Sequence, residues 1–149
     1  LPSRHRWPTL AQMHPQFAAL AAAPFVALTT FRRTGAPVST AVWVVQDGDR
    51  LGVLTPAGTG KVKRLAHTPR VTLARCSRRG VVESGAETVT GTATVSEQGA
   101  DVEHLRSLLR AKYGLEFRVF MAIEKLAKRM RDTPRVAVWI EPAPTPATT

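Results

Sequence analysis

Apolar residues recur along this chain with two periods. Over residues 9–22 they fall three or four apart, at Leu10, Met13, Phe17 and Leu20, which predicts a short helix. Pro15 lies inside that pattern and Pro24 ends it. The period then shortens. Residues 25–31 (FVALTTF) are rich in strand formers, and RRTGAP at 32–37 is a turn with glycine at its tip. Residues 38–46 (VSTAVWVVQ) predict a second strand, DGD at 47–49 a tight turn, and 50–55 (RLGVLT) a third strand. Connections this short exclude crossovers, so the three form an antiparallel meander.

The helical period returns briefly at 60–67. Val62, Leu65 and Ala66 share one face there, Lys61 and Arg64 share another, and Thr59 stands where an N-cap belongs. Thr68-Pro69 stops that helix. A strand over 70–76 follows, with Val71 and Leu73 on one side, then an SRRG turn and a β-branched strand over 87–95. Two helices come late. One spans 101–112 with Val102, Leu105, Leu108 and Leu109; the other spans 116–131 with Phe117, Phe120, Met121 and Leu126. Residues 135–140 (RVAVWI) form the last strand. The pattern predicts a mainly β protein with flanking helices, built as a six-stranded antiparallel barrel. Residues 1–141 make one domain, and the Pro/Thr-rich stretch 142–149 is an unpacked tail.

Composition narrows the partners. The formal charge is +10, and 16 of the 21 basic residues are arginine, a balance that favours anionic ligands. Nucleic acid is one such partner. However, aromatics are only 6%, no stacking strand of the RNA-binding type is present, and the arginines are dispersed, so no specific nucleic-acid role is expected. The single cysteine, Cys76, excludes an internal disulfide and suits a cytoplasmic protein. No apolar run approaches the ~18–20 residues of a membrane span, so no membrane partner is expected.

The stretch TPAGTGKVKRL, residues 55–65, carries the clearest chemistry. Its Gly60-Lys61 matches the end of a nucleotide-triphosphate loop. The first glycine of that motif is replaced by Thr55, however, and the hydroxyl residue after lysine by Val62. No parallel βαβ unit surrounds it, and no G-x-G-x-x-G occurs elsewhere. The residues leave two readings of Lys61, Lys63 and Arg64: an anion cradle at a helix start, or the solvated face of a short amphipathic helix. His5, His14, His67 and His104 are scattered without ligand spacing, so no metal site is expected. Ser84 lacks a nucleophile elbow. Trp43 and Trp139 read more readily as core than as site residues.

Four motifs stand in order: G-x-P-V-S-T-x-V-W from Gly35, D-G-D-x-L from Asp47, G-K-V-K-R-L from Gly60 and P-R-V-T-L-A-x-C from Pro69, followed by G-T-A-T-V from Gly91. Together they resemble the flavin-type split-barrel family that includes pyridoxamine-phosphate oxidase and the enzymes using the deazaflavin coenzyme F420. Ala41 departs from the proline common before that valine. The resemblance implies that Ser39, Thr40, Ala41 and Val42 line the cofactor ring, and that Thr55, Lys61, Lys63 and Arg64 hold its phosphate and acidic tail. It implies an oxidoreductase that uses reduced F420 for hydride transfer to an unsaturated organic substrate, acting as a homodimer and needing no catalytic side chain. Flavin mononucleotide (FMN) is the alternative cofactor. A protein that only holds a cofactor or a tetrapyrrole is the alternative role.

Overall fold

The computed structural model describes residues 15–119 and 134–143. Helix α1 (Pro15–Ala21) is followed by strands β1 (Val26–Phe31), β2 (Pro37–Val42), β3 (Val45–Asp47) and β4 (Arg50–Pro56). Helix α2 (Gly60–Leu65), strands β5 (Arg70–Arg75) and β6 (Val89–Ser96), helix α3 (Gly99–Tyr113) and strand β7 (Arg135–Pro142) complete the order. The part of the first predicted helix before Pro15, most of the second late helix and residues 144–149 lie outside the described residues. Pro15 is the first described residue of α1.

Among the described residues, seven strands form one sheet in the order β2-β1-β5-β6-β7-β4-β3, and every pairing is antiparallel. Its two edge strands, β2 and β3, are neighbours in sequence, separated only by Trp43 and Val44. Three Cα steps reach about 11 Å, whereas the edges of a flat seven-stranded sheet would stand roughly 28 Å apart. The sheet therefore curls until its edges meet at the Trp43–Val44 bend, giving a split barrel. This bend also corrects the strand count from six to seven. The strand expected over 38–46 is divided, and its halves pair with different neighbours: Val42 opposes Val26 on β1, and Val45 opposes Gly52 on β4.

The two faces of β7 bury different side chains. Val138 and Ile140 face the barrel interior with Phe17, Leu28, Leu51 and Leu73. Ala137 and Trp139 face a second core under α3, with Val102, Leu105, Leu109 and Phe117. Burial on both sides is why RVAVWI reads as a continuous apolar run. Gly52 lets α3 approach the sheet. A Cβ there would stand 2.6 Å from Leu105 Cδ1 and 2.7 Å from Trp139 Cζ3.

Candidate functional site

A cavity of about 390 Å³ opens where β2, the end of β4, α2 and α3 converge. Its apolar walls come from Phe25, Val42, Trp43, Leu54, Leu109 and Phe117, with Ala41 and Pro56 beside them. Among the described residues its polar lining is Thr55, Lys61, Arg78 and Arg135, with no carboxylate. A compartment of this size with broad apolar walls and few polar groups has the make-up of a site for an organic ligand. The cations give it a preference for anions.

Each sequence-expected residue has a definite place. Ala41 and Val42 line the cavity, as do Thr55, which is buried, and Lys61. Thr40 meets the cavity through Lys61, whose Nζ donates to Thr40 Oγ1 at 3.3 Å. Burial, and secondarily the Arg64 charge, holds the Lys61 amine below its ordinary range. Arg64 turns elsewhere. Its Nε donates to Oγ1 of the fully buried Thr30 at 2.6 Å, which gives that hydroxyl a hydrogen bond away from water. Its guanidinium passes over Gly60, where a Cβ would stand 2.6 Å from Nη1. Lys63 is exposed and outside the lining. Ser39 is also exposed, its Oγ 2.5 Å from Thr29 Oγ1 on the paired strand.

The N-cap expected of Thr59 is not formed by its side chain. Thr59 has extended backbone angles, and its Oγ1 is buried without a partner. The first turn of α2 thus has no side-chain cap.

Sequence reasoning missed Arg78 and Arg135. Arg78 sits on the turn after β5, closed by hydrogen bonds from Ser77 N to Val81 O and from Gly80 N to Ser77 O. Arg135 opposes Pro56 across the β4–β7 ladder. Burial, with help from Arg106, holds its guanidinium below its usual value. Neither carries a local motif; only the ladder register and the curl bring them to the cavity.

The two tryptophans divide. Trp139 is a core residue with the Arg50 guanidinium 3.7 Å from its ring centroid. Trp43 lines the cavity and stacks on Tyr113 at 4.6 Å and 14°. Among the described residues no cluster of three His, Cys, Asp or Glu side chains could hold a metal, and no helix is long and apolar enough to cross a membrane. Cys76 is buried, and its thiol is pushed up by that burial and by Glu83.

A curled antiparallel sheet with a ligand-sized cavity beside its second and fourth strands defines the flavin-type split-barrel class. The family model described as pyridoxamine 5'-phosphate oxidase matches residues 13–145, and the chain belongs to that family. No curated protein matches it. Solved structures share the fold at low identity. An F420 reductase is 17% identical over 85% of this chain and 92% of its own, with a TM-score of 0.55. The heme storage protein of Vibrio cholerae is 12% identical over 89% and 92%, with a TM-score of 0.61. A pyridoxamine 5'-phosphate oxidase-related, FMN-binding protein of Nostoc punctiforme is 15% identical over 86% and 75%, with a TM-score of 0.51.

Proposed function

We propose that this protein is an oxidoreductase that binds reduced coenzyme F420 in the cavity and passes hydride to an unsaturated organic substrate. The observation that carries the reading is the lining itself, which among the described residues has aromatic and aliphatic walls, three cations and no carboxylate. Trp43, Phe25 and Phe117 suit a flat ring, and Lys61 suits a phosphate. When bound, the deazaflavin supplies the hydride. The chain's own residues bind it, orient it and keep water from its ring. The likeness to an F420 reductase supports the cofactor choice, and a multiply charged tail accounts for more of the +10 charge than one phosphate does.

FMN is the second reading, favoured by the FMN-binding protein of the same fold. We further propose a cytoplasmic homodimer without a specific nucleic-acid partner. Oligonucleotides then bind weakly, lose affinity with salt and show no base preference.

The deciding experiment titrates the purified protein with F420, FMN and heme at two salt concentrations, followed by absorption and calorimetry. Oxidation of reduced F420 is then monitored with an α,β-unsaturated ketone added. Tighter F420 binding that weakens with salt is expected. Equal or tighter FMN binding selects FMN. Heme binding without either flavin overturns the oxidoreductase reading.

A further inference from the structure

The Trp43–Val44 bend that closes the sheet is held by α3. Lys112 directs its Nζ at three main-chain oxygens, those of Ala21 and Ala23 at 2.8 Å and of Val44 at 2.6 Å. An ammonium carries three protons, so these carbonyls use all of them. The neighbouring hydroxyl of Tyr113 lies 2.9 Å from Pro24 O, and it accepts from the Val44 N–H at 3.2 Å. The Tyr113 ring then stacks on Trp43, with Phe117 6.2 Å from the same indole. Two adjacent residues of α3 thus grip the chain leaving α1 and the residue after Trp43. Both gripped segments feed the cavity, through Phe25 and Trp43.

A purely structural need would be met more simply. Packing α3 against the sheet calls for apolar residues, which Val102, Leu105 and Leu109 already provide. Lys112 and Tyr113 instead fix backbone position where the cavity wall leaves regular strand, at residues 21–24 and 43–44. We propose that Lys112 and Tyr113 are positioning residues: by holding residues 21–24 and Val44 together, they set the Trp43 indole as the wall against which a planar ring ligand stacks. The proposal rests on reading the cavity as a ring-cofactor site, but the placement of Trp43 is testable without any ligand.

The test uses the full chain with Lys112→Met, Tyr113→Phe and Lys112→Arg, each with Trp43 intact and with Trp43→Ala. Acrylamide quenching, taken as the difference from a matching Trp43→Phe protein, isolates Trp43 from Trp7 and Trp139. Far-UV dichroism and cooperative urea unfolding establish that each variant folds. Without ligand, Trp43 quenching should rise about twofold in Lys112→Met, with partial restoration in Lys112→Arg. FMN and F420 should each bind roughly tenfold more weakly, the scale of one lost charge-assisted hydrogen bond. On the Trp43→Ala background the same change should add less than about twofold, because residues acting through one another are not additive. Should Lys112→Met fail to fold, Tyr113→Phe keeps the stacked ring, removes only the hydroxyl bonds and carries the same comparison. Unchanged Trp43 quenching, or equal affinity losses on both backgrounds, overturns the proposal. If the unsubstituted protein binds neither ring, the cofactor reading falls, and the quenching result alone upholds or overturns the positioning role.

Discussion

Lys61 and Thr40 stand 21 residues apart in the chain, yet Lys61 Nζ reaches Thr40 Oγ1 at 3.3 Å. Three residues on, Arg64 reaches Thr30 on the neighbouring strand. The i, i+3 pair of α2 thus straddles β1 and β2, and only its first member lines the cavity. Of the cradle expected from the sequence, Lys61 lines the cavity and Arg64 braces the sheet.

That division gives the first prediction. Lys61→Ala should weaken cofactor binding by roughly five- to 150-fold, the worth of a charge-assisted contact of about 1–3 kcal/mol. Lys63→Ala removes the same charge from the same helix at an exposed position and should weaken binding less than about threefold. Calorimetric titration of both variants decides it. Equal losses would show that only the overall field matters.

Gly52→Ala should destabilise the fold. Its new methyl meets Leu105 and Trp139 inside ordinary contact distance, and overpacking of this kind costs about 1–3 kcal/mol. Urea denaturation should show a lowered midpoint with an unchanged slope. Leu105→Ala, which empties the same contact, should cost about 2–5 kcal/mol.

Lys112 should make stability depend on alkaline pH. Burial pulls its amine from 10.5 down to about 8, outweighing the three carbonyls that favour the ammonium. Between those values the unfolded chain holds a proton that the folded protein has released, so stability rises with pH across that window. Tyr113, pushed up to about 12 from 10.0, acts in the opposite sense above pH 10. Unfolding measured from pH 7.5 to 9.5 should therefore show a positive slope that diminishes in Lys112→Met. An identical slope in the variant would count against the buried amine.

The proposed homodimer should appear at micromolar concentration. Val81 and Val82, exposed at 68% and 47% on the loop after β5, give the surface apolar area that pairing would cover. Sedimentation showing only a 16.2 kDa species contradicts the dimer. If that loop lies in the contact, Val81→Glu with Val82→Glu should shift the protein to monomer.

The sequence by itself determined most of the described elements and their order. Strand alternation placed Val71 and Leu73 inward, helical spacing placed Val102, Leu105 and Leu109 on the buried face of α3, and short turns made the pairings antiparallel. These are local effects of side-chain period and turn chemistry, and they survive without knowledge of distant contacts. Tertiary structure alone decided where the long strand bends, because Trp43 and Val44 carry no turn residue and the bend follows from closing the sheet. It also decided which cations reach the cavity. Arg135 arrives through its register opposite Pro56, Arg78 through the turn after β5, and Arg64 is drawn away by a buried hydroxyl 34 residues distant in the chain. Such placements depend on contacts between distant segments, and no sequence period records them.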